Sequence, residues 1–141
     1  MITPQGTHRP RYDNALKKEM ALTTSYAIAI VDDDSLVRSA VASLVRSFGF
    51  DVRSFASAVE YLEADTGEVA CVLSDVHMPE LSGVELQQRL RLRSNAPPVV
   101  LMTAFPGERL RATALSVGVL ALIEKPVDSD RLLQLLESVL R

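Results

Sequence analysis

The sequence has very little cysteine and no long hydrophobic run, and both absences limit the kind of protein it encodes. Cys71 is the one cysteine among 141 residues, which excludes an intramolecular disulfide and favours a reducing compartment. No apolar stretch approaches the roughly 18 residues that cross a bilayer, and no N-terminal segment has the pattern of a secretory signal. The formal net charge of −3 does not indicate a broad nucleic-acid surface. We therefore expect a cytoplasmic protein that binds neither membranes nor nucleic acid directly.

Length and composition fit one folded domain that follows a tail. The hydrophobic content is 48% and the charged content 23%, as in soluble globular domains. Residues 1–25 contain proline, glycine and threonine without a hydrophobic period, so we expect an N-terminal extension that is disordered or partly helical. Met1 and Met20 both remain candidate start residues. Residues 26–141 carry the regular pattern of the domain.

Short apolar runs alternate with amphipathic stretches from residue 26 onward. The five runs are "YAIAIV", "FDVRSF", "VACVLSD", "PPVVLMTA" and "VLALIEKP". Strands that alternate with helices in this way predict an α/β fold, a doubly wound (βα)5 three-layer sandwich with a five-stranded parallel sheet. Ser57 and Ser82 each precede a glutamate by three residues, which predicts two capping boxes, and the helix after Ser82 is expected to run to about Arg93.

Polar side chains collect where four of these predicted strands end, and they comprise Asp32, Asp33, Asp34, Asp75, Thr103 and Lys125. The carboxyl ends of parallel strands share one edge of the sheet, which is where ligands bind in such folds. Clustered carboxylates repel one another unless a cation neutralises them, and Mg²⁺ (or Mn²⁺) suits oxygen ligands. With a lysine and a hydroxyl added, this set predicts a phosphoryl-transfer site with a carboxylate nucleophile.

Four motifs together resemble the receiver domain of two-component response regulators over residues 26–140. The motifs "IVDDD", "SDVHMPELSG", "LMTA" and "IEKP" follow one another in the family's order. The family pattern Asp-x-x-Met-Pro-x-x-x-Gly runs here from Asp75 to Gly83. The first and last motifs are similar to those of the nitrogen-fixation regulator branch. The resemblance implies the flavodoxin-like strand order 2-1-3-4-5.

The resemblance also implies a role for each site residue. Asp75 would be the phosphoacceptor, phosphorylated by a sensor histidine kinase, a histidine phosphotransfer protein or a small phosphodonor. Mg²⁺ would be bound by four groups: Asp33 directly, Asp32 through water, Asp75, and the backbone carbonyl of His77. Thr103 and Lys125 would hold the phosphoryl oxygens, and Asp34 would begin the first helix. The Lys125–Pro126 bond is expected to be cis.

Two positions depart from the family pattern and concern the output. Leu122 stands where many members carry an aromatic residue, and Phe105 is bulky for the mouth of the site. The resemblance implies that phosphorylation shifts the face formed by helix four, strand five and helix five, which would control an unknown downstream protein and offers a surface for homodimerisation. Leu122 predicts a smaller shift than an aromatic residue would give. We expect either a stand-alone receiver or a fragment of a longer regulator.

Other interpretations remain open at this point. Each site residue taken alone has an ordinary explanation as a helix cap or a surface charge. A haloacid-dehalogenase-like phosphatase would also use an aspartate after strand one, but Leu36 breaks its Asp-x-Asp-x-Thr/Val pattern and "SDVHMP" stays unexplained. A degenerate receiver acting as an interaction module is a third option. The protein is not expected to be an enzyme beyond self-phosphorylation and slow autodephosphorylation.

Overall fold

Each apolar run forms a strand, and each strand is followed by a helix. The computed structural model describes residues 27–64 and 68–140, so the predicted extension over 1–25 lies outside the described residues. The elements are β1 (Ala27–Val31), α1 (Ser35–Ser47), β2 (Asp51–Phe55), α2 (Ala58–Glu63), β3 (Cys71–Asp75), α3 (Gly83–Leu90), β4 (Val99–Thr103), α4 (Glu108–Ser116), β5 (Ala121–Glu124) and α5 (Ser129–Val139). No helix in these two ranges is long and apolar enough to cross a membrane.

The five strands form one parallel sheet in the order β2-β1-β3-β4-β5, which confirms the predicted fold. β1, β3 and β4 are buried along their whole length, because helices cover both faces of a parallel sheet and such strands are apolar throughout. The edge strands β2 and β5 are more exposed. All carboxyl ends therefore lie along one edge of the sheet.

Two hydrophobic cores lie on opposite faces of the sheet. Successive strand residues point to opposite faces, so Ile28 and Ile30 pack with α1 and α5 while Ala29 and Val31 pack with α2, α3 and α4. Cys71 belongs to the first core, and its burial raises the pKa of its thiol to about 12. The two cores hold the strand ends in a fixed register.

The helix starts beside the site follow the sequence predictions with one correction. Asp34 is the N-cap of α1, and its carboxylate accepts hydrogen bonds from the amides of Leu36 and Val37. Ser82 and Glu85 form the predicted capping box of α3. At α2 the prediction was half wrong: Ser57 caps the helix, but the carboxylate of Glu60 accepts from the amide of Ala56, 2.7 Å away, and not from the amide of the cap residue itself.

The end of α3 also differs from the prediction. The helix ends at Leu90, three residues before Arg93. The amides of Leu92 and Arg93 instead donate to the carbonyls of Arg89 and Leu90, three residues back. These tighter turns are common at helix C-termini.

Candidate functional site

Three of the predicted carboxylates meet at the carboxyl edge of the sheet. Asp32 follows β1 and Asp75 ends β3, and these strands are neighbours in the sheet. One carboxylate oxygen from each of Asp32, Asp33 and Asp75 lies within 4.8 Å of the others. Asp32 and Asp75 are buried whereas Asp33 is exposed. The cluster thus opens to solvent on the Asp33 side.

The lysine at the end of β5 reaches across the site to two of these carboxylates. The Nζ atom of Lys125 donates to Asp32 Oδ2 over 2.9 Å and to Asp75 Oδ1 over 2.8 Å. Its amide donates to the carbonyl of Thr103 over 2.8 Å, which fixes the end of β5 against β4. The Lys125–Pro126 bond is cis, as predicted. One ammonium group therefore bonds two of the three carboxylates, and the cluster keeps a net negative charge.

The pKa shifts follow from this imbalance. Burial raises the pKa of Asp75; the hydrogen bond and charge of Lys125 lower it, and the charges of Asp32 and Asp33 raise it, for a net increase. For Lys125, burial lowers the pKa, but the bonds to Asp75 and Asp32 together outweigh it and the net change is upward. Lys125 is therefore held as a cation, while the anionic form of Asp75 is disfavoured. A second cation near Asp75 would relieve that cost.

Asp32 differs from its two neighbours in how fully it is hydrogen bonded. Its amide donates to the carbonyl of Phe55, and its two carboxylate oxygens accept from the amide of Asp34 and from the lysine ammonium. By contrast, the carboxylate of Asp33 and the Oδ2 atom of Asp75 receive no hydrogen bond from any described residue. Carboxylate oxygens that receive no hydrogen bond are available to bind a hard divalent cation such as Mg²⁺, which keeps several of its waters. The fully hydrogen-bonded carboxylate of Asp32 lies beside them. The donor set therefore fits the predicted ion.

The remaining predicted residues lie around this cluster. Thr103 is fully buried at the end of β4, one residue beyond the partner of Asp75 in the sheet. Its hydroxyl oxygen accepts a hydrogen bond from the amide of Phe105 over 3.1 Å. The Phe105 side chain is 83% exposed. The imidazole of His77 is also exposed, and no donor in the described ranges bonds its backbone carbonyl.

A glycine lets α3 approach the backbone of Asp75. The amide of Gly83 donates to the carbonyl of Val76 over 2.9 Å. A Cβ atom on Gly83 would lie 2.3 Å from the carbonyl oxygen of Asp75 and 2.9 Å from a methyl carbon of Leu101. The glycine at the end of the "SDVHMPELSG" motif is thus required by space, and α3 forms a fixed wall beside Asp75.

Sequence patterns did not single out Arg38, which also touches the site. Its Nη1 atom donates to the backbone carbonyl of Asp32 over 2.6 Å. The available signal was its spacing: Arg38 lies one helical turn after the N-cap Asp34, and its amide donates a hydrogen bond to the Asp34 carbonyl. A single arginine at this spacing is too common on helices to be recognised without the fold.

Comparison with known proteins now decides the family. A model of the response regulator receiver domain matches residues 28–137. The chain belongs to the response regulator receiver family. The transcriptional regulatory protein FixJ of Bradyrhizobium diazoefficiens is 36% identical over 121 residues, which cover 85% of this chain and 59% of that protein. The response regulator protein TmoT of Ectopseudomonas mendocina is 32% identical over 133 residues, which cover 93% of this chain and 60% of that protein.

Solved receiver structures share the fold. The crystal structure of FixJ-N matches with a TM-score of 0.74 and 28% identity, covering 82% of this receiver chain and 94% of that chain. The Vibrio cholerae chemotaxis protein CheY4 matches with a TM-score of 0.75 and 25% identity, covering 82% and 99% of the two chains. The predicted receiver family is confirmed, and FixJ proteins are among the similar relatives and structures. The chain spans 59% and 60% of the lengths of the two curated relatives.

Proposed function

We propose that Asp75 is the phosphoacceptor of this receiver and that it reacts with Mg²⁺ (or Mn²⁺) bound at the same edge of the sheet. Residues 28–137 are a receiver domain of the two-component type, and such domains interact with histidine kinases or phosphotransfer proteins. The observation that carries the proposal is the state of Asp75: one carboxylate oxygen is held by Lys125, and the other has no donor among the described residues. That second oxygen is available to a phosphoryl group.

The chemistry would be a transfer from phosphohistidine or a small phosphodonor to a carboxylate oxygen. The free oxygen of Asp75 attacks phosphorus, an acyl–phosphate bond forms, and the bond from phosphorus to the donor breaks, with the electron pair leaving on the donor. The raised pKa of Asp75 makes its oxygen more basic. A bound divalent cation would neutralise charge on the phosphoryl oxygens as the donor approaches.

The other site residues would position these groups. Asp33 offers free oxygens for direct metal ligation, and Asp75 would ligate the metal through the oxygen that does not attack phosphorus. Asp32 suits contact through water, and the His77 carbonyl would complete the protein ligands. Lys125 and Thr103 would hold phosphoryl oxygens, the first by charge and the second by a hydroxyl donor. The chain would thus act as a phosphoacceptor with slow autodephosphorylation, and not as a turnover enzyme.

The output would pass through Thr103. Its hydroxyl oxygen now accepts from the amide of Phe105, so turning the hydroxyl toward a phosphoryl group would weaken the link to the loop before α4. Leu122, half-buried against the second core, would report the change by packing alone. We propose that the α4–β5–α5 face then controls a downstream protein in the cytoplasm, with a homodimer as one assembly through that face.

Phosphorylation with acetyl phosphate and Mg²⁺ tests the proposal. We expect wild type to gain the mass of one phosphoryl group, Asp75→Ala to gain none, and Asp33→Ala to lose the dependence on Mg²⁺. Asp130→Asn, an exposed change in the first turn of α5, is the matched control and should label as wild type does.

Three outcomes would count against it. Continued labelling of Asp75→Ala would overturn the assignment of the phosphoacceptor. Labelling at Asp32 would indicate a haloacid-dehalogenase-like phosphatase instead. If wild type neither labels nor binds beryllofluoride in a Mg²⁺-dependent manner, the chain is a degenerate receiver that acts as an interaction module.

A further inference from the structure

The guanidinium of Arg38 replaces a hydrogen bond that the sheet cannot supply to the site. Asp32 donates its amide to β2 at the carbonyl of Phe55, which is the last bond between these strands. β2 then leaves the sheet, because Ser57 caps α2 two residues later. The carbonyl of Asp32 is left beyond the ladder, and the Nη1 atom of Arg38 donates to it over 2.6 Å. The half-buried arginine thus holds the peptide that joins Asp32 to Asp33.

Asp33 is oriented only through its backbone. Its carboxylate receives no hydrogen bond from any residue in the described ranges. The peptide before it is held by Arg38, and the peptide after it is held by the amide of Asp34, which donates to Asp32 Oδ1 over 2.9 Å. Two tethered peptides therefore fix the direction in which the Asp33 side chain leaves the chain. Of these two hydrogen bonds, the one from Arg38 comes from a residue outside the run of three aspartates.

We propose that Arg38 is a positioning residue for the metal site: it fixes the Asp32–Asp33 peptide so that the Asp33 carboxylate faces Asp75 across a divalent cation. This inference rests on the proposed function, since it assumes that Asp33 ligates Mg²⁺. Arg38 itself touches neither the ion nor the phosphoryl group. Partners that orient metal ligands in this indirect way typically alter affinity by ten- to a hundredfold.

Charge and positioning predict opposite effects when Arg38 is removed. Arg38 is a cation beside a cluster of carboxylates, so its loss leaves the cluster more negative and would strengthen Mg²⁺ binding if charge were its only contribution. If Arg38 orients Asp33, its loss weakens Mg²⁺ binding despite the more favourable charge. A purely structural role would lower the melting temperature without changing the affinity of the folded protein. The sign of the change in affinity therefore separates the three roles.

The experiment is a Mg²⁺ titration followed by amide NMR shifts, together with a melting curve of each variant in EDTA. Arg38→Met keeps the aliphatic stem and removes the guanidinium, and we expect it to weaken Mg²⁺ binding about tenfold. Arg46→Met removes the same charge from the last turn of α1 and should stay within about twofold of wild type. In an Asp33→Asn background, Arg38→Met should not weaken Mg²⁺ binding further, because the ligand that Arg38 orients is already lost. If Arg38→Met does not fold, Arg38→Gln takes its place, because the shorter glutamine side chain does not reach the carbonyl of Asp32.

Several results would overturn the inference. Unchanged or tighter Mg²⁺ binding by the Arg38 variant would exclude positioning, as would an equal loss in the Asp33→Asn background. Arg38→Lys keeps the charge and one donor, so it should bind Mg²⁺ more tightly than Arg38→Met; weaker binding would contradict the proposal. A wild-type protein that binds no Mg²⁺ would overturn the proposed function and this inference with it.

Discussion

The two helices that follow β3 and β4 flank the site, but they are attached to the protein very differently. In α3, four of the eight residues are buried: Gly83, Leu86, Gln87 and Leu90. In α4, Ala114 is the single buried residue among nine. Because burial of apolar side chains supplies most of a helix's stability in a protein, α3 is bound firmly to the sheet and α4 much less so.

The helix ends show the same contrast. α3 starts with a complete capping box and with Gly83 against the backbone of Asp75. The N-cap of α4 is Gly107, which makes no side-chain capping bond, and a Cβ atom there would meet nothing within 4 Å. The firm attachment of α4 is at its far end, where Gln87 and Arg91 both donate to the carbonyl of Val117 over 2.9 Å. The start of α3, beside the site, is therefore fixed, whereas α4 is held mainly at its C-terminal end, which is the end farther from the site.

Adding a methyl group to each glycine tests this contrast with the largest expected effect. Gly83→Ala should reduce the free energy of unfolding by about 3 kcal/mol, because the new Cβ atom meets backbone that cannot move aside. Gly107→Ala is the matched change at the start of α4 and should cost no more than about 0.5 kcal/mol. Urea denaturation of both variants measures the difference. Equal losses would show that the two helix starts are equally constrained.

Breaking the link at the far end of α4 should have the next largest effect. Either Gln87→Met or Arg91→Met leaves one donor on the Val117 carbonyl, whereas the double variant leaves none. We expect the double variant to lose about 2 kcal/mol, more than the sum of the two single losses, because an unpaired buried carbonyl carries the full desolvation cost. Hydrogen exchange should rise mainly in α4. Simple additivity would show that the two donors act independently.

Removing the charge of Asp75, which lies beside the fixed helix α3, tests whether the functional carboxylate reduces the stability of the folded protein. Burial raises the pKa of Asp75, so wild-type stability from the protonated carboxyl is present below the unfolded pKa and is lost as pH rises through the folded pKa. Asp75→Asn escapes this loss and should be about 1 kcal/mol more stable in EDTA at pH 7, with a melting temperature a few degrees higher.

The pH and the ion provide the controls for that prediction. The advantage of Asp75→Asn should shrink as pH falls toward 3.5, because the carboxyl of Asp75 then becomes neutral, as the asparagine amide is at every pH. Saturating Mg²⁺ should also reduce it, because the ion stabilises the wild-type folded state by binding. An advantage that is the same at both pH values, or no advantage at all, would show that the carboxylate is well solvated in the folded protein.

The smallest effect on stability is expected at the exposed aromatic before α4. Phe105→Ala removes a side chain that is 83% exposed and should change the free energy of unfolding by less than about 0.5 kcal/mol. We nevertheless expect it to reduce the NMR shifts that beryllofluoride with Mg²⁺ induces in residues 103–125, because the Phe105 amide bonds Thr103 and the side chain on that residue would move with the amide when Thr103 turns. If those shifts are the same as in wild type, the switch does not use this side chain.

Much of the fold was determined by local features of the sequence. The apolar runs specified five strands, and the spacing of Leu and Val specified the helices, because these patterns depend on neighbouring residues only. Asp34 and Ser82 were recognised as helix starts for the same reason. The polar residues at the strand ends could be assigned to one edge, since parallel strands all end on the same side.

The tertiary structure alone decided how those residues meet. Lys125 bonds Asp32 and Asp75 across 93 and 50 positions of sequence, and the resulting rise in the pKa of Asp75 depends on burial that no local pattern encodes. The bond from Arg38 to the Asp32 carbonyl exists because β2 ends at Phe55 and supplies no donor to that carbonyl. Such contacts depend on where strands end relative to their neighbours, and that relation is settled only when the two cores pack and fix the register of the sheet.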